Sequence, residues 1–160
     1  MPFWLDQIVG GGQEHDVIGP NSDNRVYKLT KRNEFGLFPH YYAEEESVGL
    51  RPASPLEYFD RLLMQNEWFG DDTQLEGIGF TDAGSVYTLT SQPFVQGRAS
   101  TLDEISGLLS SLGFREFDPE LAAWKDDENQ IVLSDAHPRN LVTDSKGRVL
   151  PIDLIIGRMG

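Results

Sequence analysis

A chain of 160 residues with 26 acidic and 13 basic side chains, net charge −13, can bury one hydrophobic core and shows no Lys/Arg cluster for nucleic-acid phosphates. It has no cysteine, which excludes disulfides, thiolate nucleophiles and Cys-based zinc sites. No apolar run nears the roughly 18 residues of a membrane span, and the N-terminus "MPFWLDQIVGGG" lacks a basic n-region, so neither a membrane contact nor a signal peptide is expected, and the cytoplasm is the expected compartment.

In chain order, "LDQIVGGG" predicts a short strand running into Gly10, Gly11 and Gly12. "EHDVIG", the turn formers "PNSDN" and "RVYKLT" predict a glycine-started hairpin with Val26, Lys28 and Thr30 on one face. Residues 33–54 are mixed, and "AEEESVGLRPAS" predicts a solvated loop. "SPLEYFDRLLMQNEWF" predicts a helix with Ser54 as N-cap, Pro55 in the first turn and Glu57 closing a capping box; Leu56, Phe59 and Leu63 form its expected core stripe. A second hairpin, "LEGIGFTDAGSVYTLTSQPFV", turns at "TDAG", and "QPFVQGRAS" is a connector. Thr101 and Glu104 cap a second helix whose buried face is Ile105, Leu108, Leu109 and Leu112, ended by Gly113. "QIVLSD", "NLVTD", the turn "SKG" and "RVLPIDLII" predict short strands around polar loops. This order is an α+β pattern rather than regular βα alternation.

The chemistry concentrates in "SDAHPRNLVTDSKGRVLPID". Asp135 and Asn140 fit D-x-x-x-x-N, and Asp153 follows 13 residues after Asn140. A tight turn at Lys146-Gly147 would fold the intervening strands together and return Asp153 beside Asn140. A carboxylate and an amide oxygen so placed make a hard oxygen pocket of the kind Mg²⁺ takes, and Asp135 could accept a proton from an attacking hydroxyl. The dull readings are turn residues for Asp135 and Asn140, a plain turn for the glycines and a solvated edge residue for Lys28. Asp153 resists such a reading, because an aspartate amid Pro151-Ile152 and Leu154-Ile155-Ile156 is costly unless paired. His137 suits a structural role in the loop, and Arg139 a surface position or a phosphate contact. No G-x-S-x-G, no H-x-x-x-H and no G-x-x-x-x-G-K-[ST] is present, which sets aside a serine hydrolase elbow, a zinc hydrolase and a P-loop.

"DAHPRN" resembles the D-x-H-x-x-N loop of aminoglycoside phosphotransferases and other small-molecule kinases. The ordered series "GGGQEHDVIG", "RVYKLT", "SPLEYFDRLLMQN", "SQPFVQG", "SDAHPRNLV" and "PID" most closely resembles the kinase-like domain of polyvalent proteins of phages and conjugative elements, over nearly the whole chain. The resemblance implies a minimal protein-kinase-like fold: an antiparallel N-lobe sheet with one helix over residues 1–95, and a short truncated C-lobe over residues 96–160. It implies ATP and Mg²⁺ as cofactors. Gly10, Gly11, Gly12 and Lys28 would hold phosphates; Gln92 and Phe94, in the hinge-like connector, would meet adenine; Asn140 and Asp153 would bind the metal; Asp135 would orient the acceptor. The acid expected to pair with Lys28 is Glu57, with Asp60 and Glu44–Glu46 as alternatives.

Two departures stand beside the resemblance. "LSD" replaces His-Arg-Asp, and only seven residues follow Asp153. The expected function is therefore an ATP/Mg-dependent phosphotransferase of unnamed acceptor, small molecule or protein, from a mobile genetic element. The alternative is a pseudokinase-like nucleotide-binding or interaction module. A partner or a second copy completing the missing lobe is a further expectation.

Overall fold

The computed structural model describes residues 8–160, an α+β arrangement of antiparallel sheets with two helices. The expected first strand lies within that span only from Ile8; Leu5–Gln7 fall outside the described residues. Strands β1 (Ile8–Gly11), β2 (His15–Ile18) and β3 (Arg25–Thr30) form a meander, with Val17 opposite Lys28 in the β2–β3 register.

Of the expected solvated loop "AEEESVGLRPAS", only residues 43–46 are an exposed turn, and strand begins at Ser47. The turn joins β4 (Leu37–Tyr42) to β5 (Ser47–Pro52) in a hairpin, with Tyr42 opposite Ser47. Pro39 and the glutamate run hid it, because proline weakens a strand pattern and the acids fill the turn. Helix α1 (Pro55–Phe69) begins at Ser54, where the reciprocal capping box with Glu57 forms, and ends at Gly70 in the left-handed conformation (φ 65°). The expected core stripe of α1 fails at Leu56 and Leu63, while Phe59 is half-buried against Tyr58. Leu56 is 80% and Leu63 65% exposed, whereas Tyr58, Arg61, Met64 and Gln65 are buried. The buried set keeps the helical spacing of one face, but half of it is polar.

Strands β6 (Gln74–Phe80) and β7 (Val86–Pro93) pair as the expected hairpin. Together they complete a five-stranded sheet in the order β1-β2-β3-β7-β6. Beyond it, β8 (Arg98–Ala99) leads into α2 (Leu102–Ser111), capped by Thr101 and Glu104 as expected. Ile105 and Leu109 of α2 are buried, with Leu108 and Leu112 packed at the margin. Burial of each such aliphatic side chain stabilises the fold by about 1.5–3 kcal/mol.

Two strands not expected from sequence follow, β9 (Arg115–Asp118) and β10 (Ala123–Asp126). Then come β11 (Ile131–Ser134), a 3-10 turn at Pro138–Asn140, β12 (Leu141–Thr143), β13 (Val149–Pro151) and β14 (Ile155–Arg158). Strands β14-β11-β10-β9 make one sheet and β13-β12-β8 another. The largest core joins Met64 of α1 to Leu109, Leu133, Leu141, Leu154 and Ile156, so the helix is anchored in the same apolar mass that carries the loops of the second half.

Candidate active site

The chain between β1 and β2 turns at the glycines, where Gly12 N donates to His15 O at 2.9 Å. A Cβ on Gly11 would stand 3.1 Å from Asp16 Oδ1 and 3.2 Å from His15 O, so only glycine lets the two strands approach here without adjustment. Gly11 and Gly12 line a cleft of about 610 Å³, together with Glu14, Lys28, Asp135, Asn140 and Asp153. Gly10 sits in β1 and is not part of that wall.

The far wall is set by the loop after β11. Asp135 N and Ala136 N donate to Leu121 O (3.1 Å) and Ala122 O (3.2 Å), and buried Ala136 pins the loop into the core. Asp135 takes a left-handed backbone (φ 62°), which turns the chain out of the strand; aspartate tolerates this conformation better than most residues. Asn140 Nδ2 then donates to Asp135 O and Oδ2, both at 2.8 Å. That spends the amide nitrogen on Asp135 and leaves Oδ1 for a ligand. His137 does not pack into the core; its Nε2 lies 3.5 Å from Asp135 Oδ1.

The β12–β13 hairpin pairs Leu141 with Pro151 and turns at Gly147 (φ 77°). Ile152 N donates to Asn140 O at 2.8 Å, which returns Asp153 to the vicinity of Asn140 as the spacing suggested. Lys28 Nζ reaches down from β3 to Ile152 O (2.5 Å) and Asp153 Oδ1 (3.2 Å), and Gln92 Nε2 donates to the same Ile152 carbonyl at 3.0 Å.

Helix α1 contributes an arginine where an acid was expected. Glu57 does not meet Lys28. Its oxygens bind Arg51 at 2.6 and 2.9 Å while it caps the helix, one turn before the face that reaches the cleft. That face offers Arg61, 3% exposed, whose guanidinium contacts Glu14 Oε1 (2.6 Å), Leu154 O (3.1 Å) and Asp153 Oδ1 (3.6 Å). Gln65 Nε2, one turn on, donates to Leu154 O at 2.7 Å. Neither Arg61 nor Gln65 stood out in sequence, yet both share the helical phase of Tyr58, and polar residues on a buried phase are the signal that could have found them.

Burial works against the Asp153 charge, but Lys28 and then Arg61 outweigh it and hold the carboxyl at about 2. His15 is the reverse. Burial pushes its imidazole down to about 4, with Asp153 only partly resisting, so the ring is neutral at pH 7. His15 Nε2 lies 3.2 Å from Tyr58 Oη, and Nδ1 is buried with no partner among the described residues. Glu14, His15 and Asp153 bring ligand-type atoms within 4.8 Å of one another. Arg61 is already ion-paired to both of those carboxylates, which makes this cluster a structural network rather than a good cation site.

The oxygens of Asn140 and Asp153 fit Mg²⁺ better: both line the open cleft, Asn140 has an oxygen to give, and Asp153 is ionised. The connector does not reach this cleft. Gln92 lines the small polar gap beneath Lys28, and the Phe94 N–H donates to Asn24 O at 2.9 Å. The cleft therefore gathers an ammonium, a glycine turn, three carboxylates and an amide from segments far apart in the chain. A family model described as a serine/threonine/tyrosine kinase found in polyvalent proteins matches residues 4–158. No curated protein and no solved structure matches.

Proposed function

Because the chain belongs to the serine/threonine/tyrosine kinase family found in polyvalent proteins, we propose that it transfers the terminal phosphoryl group of Mg²⁺-bound ATP to a hydroxyl. The observation that carries this reading is the meeting of Gly11, Gly12, Lys28, Asp135, Asn140 and Asp153 around one cleft.

Each group has a part set by its chemistry. The glycine turn lets backbone approach phosphate oxygens, and Lys28 brings a positive charge to them. Asn140 and Asp153 would hold Mg²⁺, which when bound neutralises charge on the phosphates. Asp135 accepts the acceptor's proton. The acceptor oxygen forms its bond to the terminal phosphorus as the bond from that phosphorus to the bridging oxygen breaks, and ADP leaves with the electron pair. Buried Arg61 does not touch the phosphates in this scheme; it fixes Asp153 and, through Glu14, the glycine turn.

The test is labelled-phosphate transfer with Mg²⁺ and ATP, to the chain itself and to Ser, Thr and Tyr peptides. Asp135→Asn is expected to keep nucleotide binding and lose about 100-fold or more in rate. Asp153→Asn is expected to lose the dependence of nucleotide binding on Mg²⁺. Equal rates in wild type and Asp153→Asn sink the reading. A second reading, nucleotide binding without turnover, draws on one observation: α1 brings Arg61 rather than an acid toward Lys28. It expects a Mg·ATP-dependent rise in melting temperature with no transfer.

A further inference from the structure

We propose that Arg139 selects the acceptor, holding a carboxylate side chain that flanks the acceptor hydroxyl in a peptide. This rests on the phosphotransferase reading above and names the substrate class of that site.

Acidic side chains outnumber basic ones 26 to 13 in this chain, so an arginine without a carboxylate is unusual here. Among the described residues, seven of its nine arginines have one. Among the described residues Arg139 has none, although it lines the same cleft as Asp135, Asn140 and Asp153. Arg32 also lacks a carboxylate partner among the described residues, and it does not line that cleft.

The backbone fixes where Arg139 stands. It belongs to the 3-10 turn Pro138–Asn140, held by Asn140 N donating to His137 O at 2.8 Å. The next residue, Asn140, grips Asp135 through two 2.8 Å hydrogen bonds. Successive Cα atoms are about 3.8 Å apart, so the exposed Arg139, which lines the same cleft, stands beside the residue that grips Asp135. Lys28 is on the opposite wall, on β3, where it meets Asp153. The two cations thus divide the cleft between a phosphate side and an acceptor side.

A guanidinium is a planar donor that binds a carboxylate through two parallel hydrogen bonds. A net charge of −13 disfavours an acidic peptide overall, so a local unpaired cation is what such a peptide needs to bind. Removing Arg139 should therefore change the sign of charge preference as well as its size.

The experiment pairs two Ser peptides, identical except for Glu or Lys beside the serine. Transfer rates and, separately, peptide binding by fluorescence anisotropy with a Mg²⁺-bound non-hydrolysable ATP analogue are measured for wild type, Arg139→Gln and Arg139→Glu. Wild type should favour the Glu peptide by about tenfold or more in binding. Arg139→Gln should erase the preference and Arg139→Glu should reverse it, with analogue affinity unchanged. An unchanged peptide ratio in both variants, or no preference in wild type, overturns the proposal. So does a fall in analogue affinity with the ratio kept, which would assign Arg139 to the nucleotide's phosphates. Charge-dependent binding without any transfer would instead overturn the phosphotransferase reading alone.

Discussion

The guanidinium of Arg61 lies 3.6 Å from the carboxylate of Asp153, on the oxygen that Lys28 also approaches. A helix cation thus braces the residue expected to hold the metal, and it does so while almost wholly buried. Removing it leaves Glu14, whose side chain is 11% exposed, without its counter-charge. Arg61→Met is expected to cost about 3–5 kcal/mol in denaturant unfolding. The double variant Arg61→Met/Glu14→Gln should recover a large part of that loss, since it removes both charges. Equal stabilities of the single variant and wild type would mean the pair does not hold the fold.

Glu57 should behave quite differently. It closes the α1 capping box and pairs with exposed Arg51, so Glu57→Ala is expected to cost about 1 kcal/mol in thermal or denaturant unfolding. Phosphoryl transfer, assayed below the melting temperature, should stay at the wild-type rate. A large loss of rate with stability kept would restore Glu57 to the site.

A buried group and a half-buried one set opposing responses to acid. His15 is pushed by burial from 6.5 down to about 4, with Asp153 partly resisting. Asp71 is pushed by burial from 3.8 up to about 7, with Lys28 partly resisting. From about pH 6.5 down to 4.5 the unfolded chain gains a proton on His15 that the native chain refuses, which lowers stability. In the same window the native chain keeps a proton on Asp71 that the unfolded chain has lost, which raises it. The effects amount to about 3 and 4 kcal/mol in full and largely cancel. His15→Asn should therefore become more stable as pH falls through that window, and Asp71→Asn less stable. Urea midpoints at four pH values separate the two slopes; parallel slopes in both variants would refute the assignment.

Gly97 immediately precedes β8, which pairs antiparallel with β12. A Cβ there would overlap the Thr143 carbonyl oxygen and lie 2.6 Å from Val142 Cγ1. Gly97→Ala is expected to cost about 1–3 kcal/mol, as overpacking usually does, and to loosen the hairpin that carries Asp153. Gly84→Ala and Gly147→Ala test backbone conformation instead, since both glycines have open space around them and a positive φ. A Gly97→Ala protein as stable as wild type would show that β8 can move aside.

What the sequence made legible follows physical signals that are local. Both helix caps, the "TDAG" hairpin and the turn at Gly147 formed where residue type alone specified them. The return of Asp153 to Asn140 followed from strand length and turn position. The α1 core face did not, because Arg61 and Gln65 are buried by partners that lie up to 93 residues away in the chain, at Leu154. Leucines at 56 and 63 looked like core for want of that information. Strands β9 and β10 were missed for a related reason: "AWKD" is wholly buried although half of it is charged, since Lys125 Nζ donates to Tyr41 Oη at 2.7 Å and pairs with Glu46 and Asp127. Long-range charge satisfaction leaves no periodicity to read.

The Ile152 carbonyl is shared by Lys28 and Gln92, and a carbonyl has two lone pairs to give. A ligand phosphate that recruits Lys28 takes it away from that carbonyl and from Asp153 at once. Gln92 can keep the carbonyl satisfied, but nothing on β3 then faces the Asp153 charge. A cation arriving at Asp153 removes that deficit, and a phosphate arriving at Lys28 creates the demand for the cation. Two ligands bound as proposed would be thermodynamically linked through a single ammonium group, each raising the other's affinity by the same factor. Cooperativity of this kind requires no moving domain, only one side chain with two mutually exclusive sets of acceptors.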